Sequence, residues 1–202
     1  MLLRTRILTL AAFGSFVACD PPESSMDLDL EAVAGCESVL DWSAEAALLE
    51  DRVVERINEE RRTGGRCGDR SYAPQGPIAR NAALQCAARL HSQDMATDNY
   101  VGFVAADEIG LRNRLEDVGY DYAIWAASIG AGWTVADNAV DSWLGDESQC
   151  WKLFAAELTG VGIGVVLLPE AEVEENVPIG EEEDPVPAHR SYWTLLVGAE
   201  VD

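Results

Sequence analysis

The sequence predicts an α+β domain built in layers. Three observations carry this. Two long segments, 44–62 and 79–98, repeat apolar residues at helical spacing, and two short apolar runs, 161–168 and 192–197, have strand length. Helical and strand-like stretches also alternate in mixed order along the chain. A length of 202 residues allows one domain of ordinary size, one that buries about 70% of its unfolded surface. At 48% apolar residues the chain is too hydrophobic to be disordered, and no internal repeat is visible.

From Ala44 to Arg62, Leu49, Val53 and Ile57 fall at i, i+4, i+8 with charges between them, an amphipathic helix started by Ser43 and stopped by Gly64-Gly65. A loop with Cys67, Pro74, Gly76 and Pro77 follows. Ala79 to Asp98 places Ala83, Cys86, Ala87, Leu90 and Asp94 on one stripe, a second helix with Cys86 toward the core. Residues 100–109 are irregular, Leu111 to Val118 suits a short helix ended by Gly119, and Tyr122 to Ile129 is aromatic and strand-prone. Thr134 with Asp137 three residues on is a capping-box pattern, opening a helix that carries Ala136, Val140 and Trp143. Val161 to Leu168 and Tyr192 to Val197 read as buried strands. The glycines Gly162 and Gly164 inside the first of these are not followed by a helix, so they suit close backbone packing and not a phosphate cradle.

Charge and the N-terminus set the compartment. Fourteen Lys+Arg against 36 Asp+Glu leave a net charge of −22, which excludes nucleic acid as the main partner and docking on anionic lipid through a basic face. Arg4 and Arg6 precede an apolar run from Ile7 to Ala18, too short to span a bilayer and suited to an export signal over 1–18. The run ends Phe16-Val17-Ala18-Cys19, which resembles a bacterial lipoprotein box with Cys19 as the acylated mature N-terminus; plain cleavage near Ala18 is the alternative. Residues 19–43 then read as a lipid-anchored tether and 44–202 as the domain, with a solvated acidic loop at 170–184. In an oxidising compartment Cys36, Cys67, Cys86 and Cys150 read as two disulfides, of which spacing alone allows three pairings. The expected location is the cell envelope, lipid-anchored to a membrane or free in a periplasmic or extracellular space.

Candidate chemistry is sparse. Of the two histidines, His91 lies three residues before Asp94 on the second helix, so the pair can meet across one turn as an oriented base or as an ordinary structural pair. Ser92 cannot face His91 on a helix, so no serine triad follows. His189 stands beside Arg190 ahead of the last strand. Zinc draws three or four ligands from His and Cys, and two distant histidines with oxidised thiols do not supply them. The acidic stretch lacks calcium-loop spacing and holds Pro178, Pro185 and Pro187.

Several segments together resemble the CAP superfamily, also called the SCP domain: cysteine-rich secretory proteins, venom allergens, plant pathogenesis-related proteins and many exported bacterial proteins. Val54 to Arg62 is similar to the family's opening helix, and Asn81 to Ala96 to its "L-x-x-A-A-x-x-H-S-x-D-M-A" helix. Ala139 to Leu144 is similar to "V-V-x-x-W-M", Thr159 to Val165 to "T-E-I-G-V-G", and Ser191 to Thr194 to "Y-W-T-Q". Order and spacing fit from about residue 45 to 199. The resemblance implies a three-layer α-β-α sandwich around a central, mainly antiparallel sheet. It also implies a Cys67–Cys150 bridge, which leaves Cys36 to pair with Cys86.

The family hallmark is a cleft lined by two histidines and acidic residues that holds zinc in some members. Aligned on that pattern, Phe103 stands where the first histidine would, Ala127 where a glutamate would and Gln149 where the second histidine would. His91 matches the helix histidine and is not a cleft ligand. Glu108 and Glu147 lie near the same segments, but two carboxylates without a nitrogen ligand make a poor zinc site. The expectation is a degenerate cleft with no metal, cofactor or catalytic residue, in a monomeric binding or scaffold module whose partner is a protein, a glycan or a lipid-like molecule. Some relatives are linked to sterol or fatty-acid binding, and residues 122–133 suit an apolar groove as well as ordinary core. The rival reading is a hydrolase working outside the family cleft, for which the sequence offers no nucleophile–base pair; a third is a purely structural envelope protein.

Overall fold

A computed structural model of the chain describes residues 27–105, 108–169 and 189–201. Cys19 and the acidic stretch 170–184 lie outside them. The helices are α1 (Ala44–Thr63), α2 (Ala82–Thr97), α3 (Leu111–Asp117), α4 (Ala136–Gly145) and α5 (Glu147–Phe154). The strands are β1 (Gly65–Cys67), β2 (Arg70–Tyr72), β3 (Ala79–Arg80), β4 (Tyr122–Ala131), β5 (Gly160–Leu167) and β6 (Ser191–Glu200). The main sheet has the order β3-β5-β6-β4, antiparallel except for the short β3–β5 pairing, while β1 and β2 form a separate hairpin. It is an α+β sandwich. Trp193, Leu195 and Val197 of β6 point into a core shared with α1, α4 and α5, and Leu196 points into the opposite core with α2 and α3. Being central, β6 is buried on both faces, which is why it reads as a continuous apolar run.

Local signals explain most boundaries. The Ser43 hydroxyl accepts from the Ala46 N–H at the start of α1, and Gly64 ends it at φ 72°, a left-handed conformation that favours glycine. The Asn81 side chain caps α2 by accepting from Leu84 N–H at 3.0 Å, so the helix begins three residues later than the apolar pattern suggests and Ala79–Arg80 pairs as β3. The capping box expected at Thr134 and Asp137 does not form. Val135 is the N-cap of α4 without a side-chain bond, because the Asp137 carboxylate is taken by the Arg52 guanidinium of α1 at 2.8 Å and 3.2 Å.

The tether also ends earlier than residue 43. Leu30, Cys36 and Val39 are buried against α2 and α3, with Leu28 and Val33 packed beside them. Their apolar side chains, spaced too irregularly to show a period, are enough to fix this stretch to the body. Two disulfides join Cys36 to Cys86 and Cys67 to Cys150, the pairs the resemblance implies. They span 50 and 83 residues, and in the chain-entropy account such closures are worth about 4 kcal/mol each.

The close approach of α2 to β5 organises the centre. A Cβ on Gly162 would lie 2.1 Å from the Leu84 backbone, and one on Gly164 2.2 Å from the Ala88 carbonyl. The helix backbone therefore rests on the strand where the strand lacks side chains. β3 covers the outer edge of β5 only at Gly160 and Val161. Beyond it, side chains complete the ladder. The Gln85 amide donates to Ile163 O at 2.6 Å and accepts from Ile163 N–H at 3.2 Å, and the Glu50 carboxylate accepts from Val165 N–H at 3.3 Å.

Glu50 is fully buried and is paired with Arg89 at 2.7 Å, whose guanidinium lies 5.0 Å over the Trp42 ring. Burial pushes the Glu50 pKa up, opposed by the hydrogen bond and charge of Arg89. Arg61, 2% exposed, donates to Gly76 O, Leu153 O, Ala155 O and Leu158 O, tying the end of α1 to the end of α5. The single apolar stripe expected on α2 is too narrow a description: Gln85, Arg89, His91 and Ser92 are buried too, because the sheet covers one side of the helix and α3 with the stretch from Leu28 to Val39 covers another.

His91 does not pair with Asp94. Its Nε2–H donates to Gly102 O at 2.8 Å, while Asp94 accepts from the Tyr100 hydroxyl at 2.6 Å and pairs with Arg114 at 2.7 Å. The imidazole is fully buried in a T-shaped contact with Tyr100, and its Nδ1 has no hydrogen-bond partner among the described residues. Burial lowers its pKa from 6.5 to about 4; the Gly102 bond and Asp94 act the other way, and the Arg114 charge adds to the lowering.

These buried polar groups make two measurable contributions to stability. Glu50→Gln leaves the Arg89 guanidinium desolvated without a counter-charge and should cost about 3 kcal/mol in urea unfolding at pH 7; a cost below the error of the fit would mean that the pair is not closed in solution. Because His91 binds its proton more weakly folded than unfolded, its contribution is complete above pH 6.5 and lost progressively down to about pH 4. Over that window the native protein should lose about 3 kcal/mol more stability than His91→Gln, at 1.36 kcal/mol per pKa unit; parallel pH profiles for the two proteins would contradict this.

Candidate functional site

The edge strand β4 exposes one side of the sheet to a groove of about 390 Å³. Its floor is Trp125, Ala126 and Ala127 of β4. One wall is the turn carrying Phe103 and Val104 with the start of α3, and the other is Lys152 of α5. The first wall is braced by a Val104–Gly110 bridge and by hydrogen bonds from Ala105 N–H to Ile109 O at 2.9 Å and from Leu111 N–H to Phe103 O at 3.3 Å. Asn113 Oδ1 accepts from Gly110 N–H at 3.1 Å, closing the start of α3. His91 holds the base of this wall through Gly102 O. Its imidazole therefore positions the turn and has no proton to exchange with a ligand near neutral pH.

The opposite wall is fixed by α5. Asp146 caps the helix, accepting from the Ser148 N–H at 2.8 Å and the Ser148 hydroxyl at 2.7 Å, and Cys150 is bonded to Cys67 of the β1 strand. These bonds from Ser148, followed by the one from Gln149, hold the Asp146 carboxyl below its usual pKa. From the next turn the Lys152 ammonium reaches back across the edge of β4, donating to Ala127 O and to Ser128 Oγ. Half burial pushes the Lys152 pKa down, with the charge of Asp146 opposing. Trp143 Nε1–H donates to Ile129 O at 3.4 Å on the same strand. The lysine and the indole thus occupy outward carbonyls that an edge strand would otherwise leave unpaired.

Of the three positions singled out by the resemblance, two come together. Phe103 and Ala127 both line the groove, Phe103 with 47% of its surface exposed and Ala127 buried at its floor. Gln149 does not line it: its Nε2 donates to Asp146 Oδ2 at 3.1 Å and its Oε1 is buried without a partner among the described residues. Glu108 lines the groove from a left-handed backbone position, φ 65°, whereas Glu147 lies beside Gly68, whose Cβ would sit 2.4 Å from its carboxyl carbon. His189 stands edge-on to Tyr192, away from the lining residues. Among the described residues no three His, Cys, Asp or Glu side chains gather as a metal-ligand set. Motif spacing does not point to Lys152; the available signal is that it is the only lysine in the chain.

A second hollow of about 400 Å³ lies between the start of α1, the end of α2 and the end of β5, lined by Trp42, Ser43, Gln93, Ala96, Val166 and Leu168 among others. Among the described residues no ionisable side chain lines it. No helix of the described residues is long and apolar enough to cross a membrane.

The model of the CAP family, the cysteine-rich secretory protein family, matches residues 54–173. The uncharacterized membrane protein YlbC of Bacillus subtilis is 31% identical over 75 residues, which cover 37% of this chain and 22% of that protein. An extracellular SCP-domain protein from Bacillus anthracis superposes with a TM-score of 0.55 at 16% identity, over 75% of this chain and 40% of that one. An outer surface protein of Borrelia burgdorferi superposes with a TM-score of 0.55 at 9% identity, over 80% of this chain and 96% of that one. This chain thus spans well under half the length of both Bacillus proteins, and the two superpositions establish the fold alone. With the family model matching more than half of its residues, the chain belongs to the cysteine-rich secretory protein (CAP) family.

Proposed function

We propose that the chain is an exported, non-catalytic binding module of the cell envelope, held to a membrane by a lipid on Cys19, with the groove beside β4 as its ligand site. The observation that carries the reading is the composition of that groove. Phe103 and Ala127 stand at two of the positions where the resemblance places a histidine and a glutamate, and the ammonium of Lys152 stands beside them. A divalent cation there would meet a fixed positive charge in place of nitrogen and oxygen donors. Among the described lining residues no histidine stands beside a carboxylate: His91 is committed to Gly102 O, and Glu108 is the one carboxylate there.

Export is supported by the signal-like N-terminus, by the two disulfides, and by the extracellular and outer-surface character of the relatives named above. The lipid on Cys19 rests on the Ala18-Cys19 junction and on the short apolar run ahead of it.

Protein purified from cells and dialysed against a weak chelator should carry substoichiometric zinc by elemental analysis. Stoichiometric zinc that disappears in Gln149→Ala would return the family cleft to service and overturn the non-metal reading. Cys19→Ser should move the protein from the membrane fraction to the soluble exported fraction and abolish incorporation of labelled palmitate. Unchanged fractionation would place the attachment elsewhere.

A further inference from the structure

We propose that the groove beside β4 binds a compact organic monoanion, its apolar ring-bearing body against Phe103 and Trp125 and its carboxylate at the Lys152 ammonium. The inference rests on the binding-module reading and adds the class of ligand.

In a chain of net charge −22 the only lysine lies in this groove. Most described arginines are already neutralised or engaged: Arg52 and Arg56 by α1 and α4 carboxylates, Arg80 by Asp51, Arg89 by Glu50, Arg114 by Asp94, and Arg61 by carbonyl oxygens. Lys152 is half-buried and takes no carboxylate within ion-pair distance among the described residues; its two partners are the neutral oxygens of Ala127 and Ser128. An ammonium has three donors, so one remains. A cation held partly out of water, with Asp146 acting on it only from beyond ion-pair distance, keeps a desolvation cost that an anionic ligand at the ammonium offsets. Arg112 lines the same groove and likewise forms no ion pair among the described residues. Among the described lining residues Glu108 is the one carboxylate, and Asp146 acts on Lys152 from outside the lining. The one ammonium in the groove offers a site for a single anionic group, which suits a monoanion, and the strongly acidic remainder of the chain disfavours polyanions.

About 390 Å³ lies at the small end of ligand pockets. Trp125 and Ala127 lie on one face of β4 and Ala126 on the other, so the groove meets them at the strand's edge, with Phe103 on the wall. Small residues next to two aromatic rings make room for a flat group and offer it stacked or edge-to-face contact. Phe103 keeps 47% of its surface exposed although it sits in a concavity, so apolar area there has no cover within the described residues.

The test is calorimetric titration of the full mature chain with three probes of one shape: 2-naphthoate, 2-naphthalenemethanol and 2-naphthylmethylammonium, at pH 7.5. The expected result is that naphthoate binds about tenfold or more tighter than the alcohol and the ammonium, a difference of about 1.4 kcal/mol per factor of ten. Lys152→Gln should lower naphthoate affinity to that of the alcohol, and Glu108→Gln should tighten naphthoate about threefold without changing the alcohol. Equal affinity for all three probes overturns the anion assignment and leaves the groove as an apolar binding site. A preference for the ammonium also overturns it, and binding of none removes the binding-module reading as well. Should Lys152→Gln fail to fold, acetylation of the unmutated protein tests the same contact, because Lys152 is its only lysine: naphthoate should slow modification at Lys152 and the alcohol should not. Equal protection by the two, or none, overturns the proposal.

Discussion

The backbone of α2 lies directly on β5, at two glycines that leave no side chain between them. Everything around the site is referred to that contact. It brings Gln85 and, across from α1, Glu50 to the outer edge of β5, where their side chains replace the strand that β3 is too short to provide. Glu50 then requires Arg89, and Arg89 in turn rests against Trp42. On its far side the same helix carries His91, which holds the turn leading to Phe103. A methyl group on Gly164 would push against the Ala88 carbonyl and disturb these contacts together.

Much of this is legible in the sequence, and what is not has physical causes. Leu49, Val53 and Ile57 reveal helix α1, but they do not show that the charged Glu50 and Arg61 are buried with them. Both fall on the buried stripe, Glu50 four residues before Val54 and Arg61 four after Ile57, and that spacing is the available signal. A period identifies a face but does not reveal which charges on it find partners once folded. The Thr134–Asp137 pattern predicts a cap because local rules see only neighbours in sequence; Arg52, 85 residues away, wins that carboxylate. The packed stretch from Leu28 to Trp42 escapes because its order comes from contact with α2 and α3 and from the Cys36 bridge, none of which leaves a period.

The site divides in the same way. Alignment of motifs identifies Phe103 and Ala127, and these two meet in one groove. It also points to Gln149, which turns instead to Asp146 and stabilises the start of α5. Lys152 lies one turn further along that helix, on the side facing the groove. Composition marks it as singular, but a lone residue in a sequence has no direction, and only the disulfide-anchored placement of α5 gives it one. Family membership says what such a groove holds elsewhere; the charges present here decide what this one can hold.

The Cys36–Cys86 bridge has a mechanical consequence. If a membrane anchor at Cys19 is pulled, tension travels along the leading segment and meets its first covalent crosslink at Cys36, which passes the load straight to the second turn of α2. Helix α1, next in the chain, is bypassed, as are the sheet ladders downstream of it. Helix α2, buried over much of its length, would then take that load, and a pull on such an anchor would be borne by a sulfur–sulfur bond before any hydrogen-bonded strand had to part.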